Sequence, residues 1–241
     1  MAITSETPVR DIAVECPIAI PVLERFGIDY CCGGRLTLAE ACAKRDIDLG
    51  PVLEELDRQQ RHTHAPDAQW NHASLEEIAD YIVLKHHAFT REQIKLIGEL
   101  MRKVECRHGT AHPELFQIGK VFAVTSSALT RHFYCEENLL FPYIGRMAAG
   151  WRAAPVFDSV KQPIARMMMD HDQAGEELRL LRALTDNYTP PTAACPTWRA
   201  LYRALEDLER DLRQHIHLEN NILFPRALEQ ARAPEPDGGK G

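Results

Sequence analysis

The chain has 241 residues, which allows one or two domains, and its 45% apolar and 26% charged residues are typical of a globular protein. Its 28 basic and 35 acidic side chains give a net charge of −7, which disfavours nucleic acid as a partner. We expect no membrane partner, because no segment approaches the ~20 apolar residues of a membrane helix. Residues 1–11 lack the basic and apolar regions of a signal peptide, and seven cysteines are too few for a disulfide scaffold. We therefore expect a cytoplasmic protein with reduced thiols.

Residues 1–60 predict a small helical N-terminal domain. Prolines and glycines divide this segment, and short helices are predicted over 22–26, 36–44 and 51–60. So small a core is not very stable alone. The polar residues 61–72 are predicted to be a linker.

Four proline-free windows follow the linker. Each predicts a helix, because proline in a helix interior costs about 3 kcal/mol. The windows are 67–112, 114–141, 164–189 and 197–224. Apolar residues recur in them at spacings of three and four, and Ser74 and Glu77 fit a capping box. We therefore predict an all-α protein with a four-helix bundle over residues 73–231, followed by a disordered tail at 232–241.

A repeated pattern marks the second and fourth windows. Residues 132–142 and 215–225 both read H-x3-E-x-N-x-L-F-P, and positions i and i+4 share one face of a helix. In both copies the His–Glu pair lies on the apolar stripe, where an uncompensated carboxylate is costly and two facing carboxylates repel each other. A pair of bound cations removes both problems. The repeat therefore predicts metal ligands at His132, Glu136, His215 and Glu219.

The other two windows supply histidines for the same site. His171 faces the apolar stripe of the third window, whereas spacing does not choose between the adjacent His86 and His87 of the first. Four imidazoles and two carboxylates able to bridge match a non-haem di-iron centre, with manganese as the fallback metal. Structural zinc instead favours four closed ligands, usually with thiolate. The predicted cofactor is two iron ions with an oxo or hydroxo bridge and a position open for a small molecule.

Three further motifs accompany the H-x3-E repeat. They are Ile28-Asp29-Tyr30-Cys31-Cys32-Gly33-Gly34, His171-Asp172-Gln-Ala-Gly and Pro190-Pro191-Thr-Ala-Ala-Cys195. With these motifs, nearly the whole chain resembles the repair of iron centres family, hemerythrin-like di-iron proteins of the YtfE, ScdA, DnrN and NorA type. The resemblance implies a hemerythrin-like four-helix bundle preceded by a small helical domain, with iron ligands at His87, His132, Glu136, His171, His215 and Glu219. The chain departs from the family pattern at Ala128 and Asp170, where the pattern has glutamates.

The family resemblance also implies a function. It is the repair of iron–sulfur clusters damaged by nitrosative or oxidative stress, with nitric oxide as ligand and damaged iron–sulfur proteins as clients. Two mechanisms stay open. Two ferrous ions can couple two nitric oxide molecules to N2O, which would make the chain a di-iron nitric oxide reductase, or weakly held iron can be donated to a cluster. The chain is expected to be a monomer or homodimer.

The adjacent Cys31 and Cys32 precede two glycines on a predicted turn. From the residues alone they are either small buried apolar side chains, as free cysteines usually are, or exposed thiols. The family resemblance implies a thiol relay that passes iron, nitrosyl or electrons between the N-terminal domain and the bundle.

The alternative function is a non-catalytic hemerythrin-like protein that binds or senses nitric oxide or O2. Oxygen-carrying hemerythrins have a histidine and an aspartate where this chain has Gly175 and Asn220, which argues against oxygen storage. A metal-free helical interaction protein would leave two buried carboxylates unexplained. Di-iron oxygenases typically use four carboxylates, two more than are predicted here.

Overall fold

Short helices form the N-terminal domain in the computed structural model of the chain, which describes residues 2–62, 69–150 and 159–231. The elements are α1 (Val9–Glu15), a 3₁₀ turn (Pro17–Ala19), α2 (Ile20–Arg25), α3 (Leu38–Ala43) and α4 (Leu49–His62). The sequence patterns did not predict α1, because its seven residues are too few to show a helical period. These helices enclose a core of their own, which includes Val9, Ile12, Leu23, Ile28, Tyr30, Leu38, Val52 and Leu56.

The predicted linker is partly helical. Helix α4 continues to His62, and α5 (Gln69–His72) lies just before the bundle. Residues 63–68 of the linker and the predicted tail at 232–241 lie outside the described residues.

Four long helical segments form the bundle, as predicted. The first comprises α6 (Leu75–Tyr81), a π-helical turn (Ile82–His87) and α7 (Ala88–His108), and the second α8 (Glu114–Cys135), a π turn (Glu136–Leu140) and α9 (Phe141–Ala148). The third is α10 (Lys161–Leu184), and the fourth comprises α11 (Pro196–Leu218), a π turn (Glu219–Leu223) and α12 (Phe224–Gln230). Helix α7 packs on α8 and α11, and α8 packs on α10. The capping box before α6 forms as predicted, with Glu77 N 3.1 Å from Ser74 Oγ.

Two separate apolar clusters fill the bundle. One contains Ile97, Leu115, Phe122, Leu178, Leu181, Trp198, Leu205 and Leu208. The other contains Leu75, Ile78, Ile82, Leu140, Ile144, Ile164, Leu223 and Phe224. Along each of the four segments, the predicted metal ligands lie between a stretch that belongs to one cluster and a stretch that belongs to the other. No helix among the described residues is long and apolar enough to cross a lipid bilayer.

Each π turn has one predicted ligand as its first or last residue. His87 is the last residue of the first turn, whereas Glu136 and Glu219 begin the second and third. The N–H of Phe141 donates to the carbonyl of Glu136, and that of Phe224 to the carbonyl of Glu219, each five residues back. Such wide turns within α-helices are frequent at functional sites.

The helices continue past the prolines that ended two of the predicted windows. Pro142 and Pro225 are the second residues of α9 and α12, so the predicted ends at 141 and 224 are wrong. Proline has no N–H to donate, and near the start of a helical segment that donor is not required. The preceding π turn creates such a start inside a continuous helical rod.

Candidate metal centre

Six buried side chains meet between the two apolar clusters. Their ligand atoms form two groups in which all atoms lie within 4.8 Å of one another: His87, Glu136, His215 and Glu219, and His132, Glu136, His171 and Glu219. Glu136 and Glu219 belong to both groups, so each carboxylate can contact two cations. The structure thus brings together all six residues that the sequence singled out as ligands.

Each carboxylate oxygen faces one imidazole. The separations between Nε2 and the nearest Oε are 3.3 Å for His87–Glu136 and 3.0 Å for His132–Glu136, His171–Glu219 and His215–Glu219. The imidazoles also approach each other in pairs, with Nε2–Nε2 distances of 3.3 Å for His87–His215 and 3.0 Å for His132–His171. Two ring nitrogens that both point lone pairs at one place repel each other unless a cation or proton lies between them.

The buried carboxylates lack conventional hydrogen bonds. Among the described residues, the oxygens of Glu136 and Glu219 have no hydrogen-bond donor other than the imidazoles of the cluster, although both residues are fully buried. An ionised buried carboxylate without donors costs several kcal/mol unless an opposite charge compensates it. Imidazole nitrogen with carboxylate oxygen is a donor set that suits divalent transition metals. The residues present therefore fit a pair of such cations.

The protonation equilibria favour the ligand form of the carboxylates. Burial and the charge of Glu219 oppose ionisation of Glu136, but the imidazoles of His132 and His87 hold its pKa below the ordinary value. Burial also acts against the charged form of His132, yet the carboxylate of Glu136 raises the pKa of that imidazole to about 9. A cation that binds to His132 at neutral pH therefore replaces a proton.

Two partners outside the cluster orient ligand imidazoles. His87 Nδ1 lies 2.6 Å from Glu137 Oε1, and His171 Nδ1 lies 2.8 Å from Asn220 Oδ1. Donation of the Nδ1 proton to either oxygen leaves Nε2 free to face the cluster. Neither partner was predicted from the sequence, although both occupy the same position of the repeat, directly after the glutamate.

The other buried histidines that the structure describes lie outside the cluster. His86 is buried, its ring stacks on His215 at 5.7 Å, and its Nδ1 lies 3.1 Å from Asp211 Oδ1. Spacing left the choice between His86 and His87 open, and the geometry answers it: of these two histidines, only His87 belongs to a ligand group. His217 is buried beside Tyr30.

A cavity of about 270 Å³ reaches the centre between α8 and α10. Its lining includes His132, His171 and His215 together with the two departures from the family pattern, Ala128 and Asp170. Asp170 Oδ2 lies 3.7 Å from His132 Nδ1. The two ligand groups therefore differ in their access to the cavity. Both imidazoles of the group with His132 and His171 line it, whereas His215 is the one imidazole of the other group in the lining.

Comparison with known proteins agrees with this geometry. The hemerythrin HHE cation binding domain family matches residues 78–227, and the ScdA_N domain family, a domain of unknown function (DUF542), matches residues 5–60. The iron-sulfur cluster repair protein YtfE of Musicola paradisiaca is 37% identical over 230 residues, which cover 92% of this chain and 96% of that protein. YtfE proteins of Escherichia coli O81 and Escherichia coli O157:H7 are each 36% identical over 223 residues, which cover 92% of this chain and 97% of theirs. The chain belongs to the YtfE family.

Membership in the YtfE family confirms the resemblance that the motifs indicated. One of the matched regions covers the N-terminal domain, and the other covers the bundle with its His/Glu cluster. This YtfE-family chain therefore carries a hemerythrin-like bundle with a His/Glu cluster able to bind metal.

The cysteine pair of this YtfE-family chain lies on a loop that we call the thiol loop, residues 29–34. Asp29 Oδ1 accepts the N–H groups of Cys31 and Cys32 at 3.1 and 3.0 Å and the S–H of Cys31 at 3.2 Å. The two Sγ atoms are 3.9 Å apart, a contact distance that excludes a disulfide. The neighbouring Cys32 thiol and burial raise the pKa of Cys31 well above its ordinary value, so its thiol is neutral.

The two thiols differ in exposure. Cys31 is buried, which agrees with the alternative that free cysteines are small buried apolar side chains. Cys32 is half-buried and borders a surface groove that is also lined by Asp29, Met169 and Asp172. The Cys32 Sγ lies 3.5 Å from the carbonyl oxygen of His171. The thiol loop thus contacts the backbone of a predicted metal ligand.

Proposed function

We propose that this chain is a cytoplasmic di-iron protein that repairs iron–sulfur clusters damaged by nitrosative or oxidative stress. The observation that carries the proposal is the pair of overlapping His2Glu2 groups, which share Glu136 and Glu219. Relatives that share over a third of their residues with this chain along nearly its whole length are named iron-sulfur cluster repair proteins. Nitric oxide is the proposed ligand, and damaged iron–sulfur proteins are the proposed clients of a monomer or homodimer.

The donor set favours iron among the available metals. Each ion would contact two imidazoles and the two shared carboxylates through the six cluster residues, with manganese as the fallback. A structural zinc site usually closes its four positions and often uses thiolate, which this cluster does not offer among the described residues. Two ferrous ions bound there would supply either the electrons that couple two nitric oxide molecules to N2O or the iron for a damaged cluster.

The chain's own residues prepare the site for a small uncharged ligand. Glu137 and Asn220 orient two imidazoles, and the cavity between α8 and α10 provides a path to the cluster. Leu129 and Met167 contribute apolar walls to that cavity, and its volume of about 270 Å³ is ample for a diatomic molecule. Ala128 lines the same wall without adding a polar group.

Cys31 and Cys32 are proposed to relay iron, nitrosyl or electrons. Their support is the position of Cys32, which contacts His171 on one side and borders an open groove on the other. Replacement of both cysteines with alanine is expected to lower repair activity while the metal content stays at two ions. Unchanged repair by this double variant would contradict the relay.

A non-catalytic protein that binds or senses nitric oxide or O2 is the alternative function. The positions at which oxygen carriers have further ligands argue against oxygen storage in this chain. Asn220 directs its amide oxygen to His171 Nδ1, and Gly175 has no side chain to offer.

An anaerobic titration of the diferrous protein with nitric oxide separates these functions. N2O at one molecule per iron pair, with iron retained, supports nitric oxide reduction, and transfer of iron to an acceptor protein supports donation. A stable nitrosyl without either result favours the binding or sensing protein. A purified chain that does not hold two irons contradicts the central proposal.

Two adjacent histidines provide a matched control for the ligand assignment. His87→Asn is expected to lose iron, because His87 belongs to a ligand group, whereas His86→Asn is expected to retain two irons per chain. Both side chains are buried in the same turn, so a general packing defect would affect both variants.

A further inference from the structure

We propose that Asn220 is a positioning residue that joins the thiol loop to one of the two metal positions, the one between His132 and His171. The inference rests on the proposed binding of metal by the six cluster residues. It assigns to Asn220 a role that the metal ligands themselves do not have.

The side-chain amide of Asn220 contacts both partners at once. Its Oδ1 lies 2.8 Å from His171 Nδ1, and its Nδ2 lies 3.5 Å from the carbonyl oxygen of Cys31. An amide carries an acceptor and a donor in one rigid plane, so the two contacts move together. The orientation of the His171 ring and the position of the Cys31 backbone are therefore linked through a single group.

The thiol loop contacts His171 a second time. Cys32 Sγ lies 3.5 Å from the carbonyl oxygen of His171, so the loop touches this residue both at its backbone and, through Asn220, at its ring. Within the part of the chain that the structure describes, the thiol loop makes no comparable contact with the other metal position. His87 Nδ1 lies against Glu137, which also pairs with Arg91 of the bundle at 2.7 Å. The thiol loop is therefore linked to only one of the two metal positions among the described residues.

A cation bound to His171 restricts the ring and thus the amide that holds the loop. Coupling of this kind is reciprocal, because each event changes the free energy of the other by the same amount. We therefore expect metal binding to restrict Cys32, and covalent modification of Cys32 to change the affinity of the His132–His171 position.

Asn221 provides a matched control. It also is half-buried, and its Nδ2 donates to the carbonyl oxygen of Tyr30 at 3.0 Å, so it too holds the thiol loop. Its second contact is His217 Nδ1 at 2.9 Å, and His217 belongs to neither ligand group. Loss of Asn221 therefore loosens the loop without touching a ligand imidazole.

The test measures the rate at which iodoacetamide modifies Cys32 in the full chain at one fixed pH. The chain is compared without metal and with zinc, a redox-inactive probe whose stoichiometry is measured in the same sample. Zinc is expected to slow modification of Cys32 severalfold, because a restricted thiol loop exposes the Sγ atom less often. The quantity compared is the ratio of the modification rate without zinc to the rate with zinc. Asn221→Ala is expected to keep the wild-type ratio, even if both of its rates rise, whereas the ratio for Asn220→Ala is expected to fall to about one.

Modification of Cys32 is also expected to shift the visible spectrum of the cobalt-loaded wild type but not of Asn220→Ala. A wild-type ratio of one with two zincs bound, or an unchanged ratio in Asn220→Ala, overturns the link alone. A chain that binds neither zinc nor iron overturns the proposed function as well.

Discussion

Glu137 Oε1 lies 2.6 Å from His87 Nδ1 and gives this ligand a carboxylate partner, whereas the same repeat position in the other half of the bundle is the amide of Asn220. A carboxylate behind an imidazole makes its Nε2 a stronger donor to a metal than an amide does. One substitution between the two repeat copies therefore makes the two metal positions chemically unequal. The position between His87 and His215 is the one expected to hold its ion more strongly.

Glu137→Gln tests this inequality. The variant keeps an oxygen acceptor for His87 but removes the negative charge, and loss of such a partner typically lowers metal affinity about 10- to 100-fold. Competition with a chelator, followed by metal analysis, is expected to show that the variant gives up its more tightly held ion sooner than the wild type. Asn138→Ala serves as the control, because Asn138 is exposed and contacts only the Tyr134 backbone among the bonds of the described residues. Equal retention of both ions by wild type and Glu137→Gln would contradict the prediction.

The shared carboxylates should govern how far metal stabilises the fold. A ligand that binds only the folded state at 100 times its dissociation constant adds about 2.7 kcal/mol to the free energy of unfolding. Glu219→Gln removes one carboxylate from both ligand groups, so we expect metal to raise the melting temperature of the wild type but hardly that of the variant. Calorimetry with and without metal measures both values. Without metal, the variant is expected to be less stable than the wild type, because, despite burial, the imidazoles of His215 and His171, each 3.0 Å from Glu219, hold the pKa of that carboxyl well below its ordinary value and lose their partner in the variant.

The repeat predicted which residues meet in the His/Glu cluster better than the proline-free windows predicted where the helices end. The i, i+4 spacing places His132 with Glu136 on one helix face whatever the helix length, so four of the cluster residues follow from sequence alone. The ends of the helices depend on backbone geometry that spacing does not record, which is why the π turns and the continuation past Pro142 were missed. The contact between Asn220 and Cys31 joins residues 189 positions apart, and no local pattern encodes such a distance.

Burial of His217 should make the fold sensitive to acid. Burial lowers the pKa of this imidazole to about 4, and its Nδ1 accepts a hydrogen bond from Asn221 that protonation would break. Because the unfolded pKa is about 6.5, the unfolded state binds the proton first as the pH falls. The contribution of His217 is therefore complete above about pH 6.5 and is lost progressively towards pH 4.

Urea unfolding of the metal-free chain between pH 7 and pH 4 checks this dependence. His217→Gln removes the titrating group, so its free energy of unfolding is expected to fall less steeply with acid than that of the wild type. His112→Gln is the control, because the side chain of His112 is 34% exposed. Parallel pH profiles for wild type and His217→Gln would show that another group causes the acid sensitivity.

The cavity between α8 and α10 should control how fast nitric oxide reaches the centre. Ala128 lines this cavity one turn before His132, so Ala128→Leu is expected to fill part of it without removing a ligand. Stopped-flow absorbance of the diferrous chain should then show nitrosyl formation slowed severalfold, with two irons still bound. Val124→Leu, one turn earlier on α8 at an exposed position, should react at the wild-type rate. If Ala128→Leu reacts as fast as the wild type, nitric oxide enters by another route and the cavity serves the site in some other way.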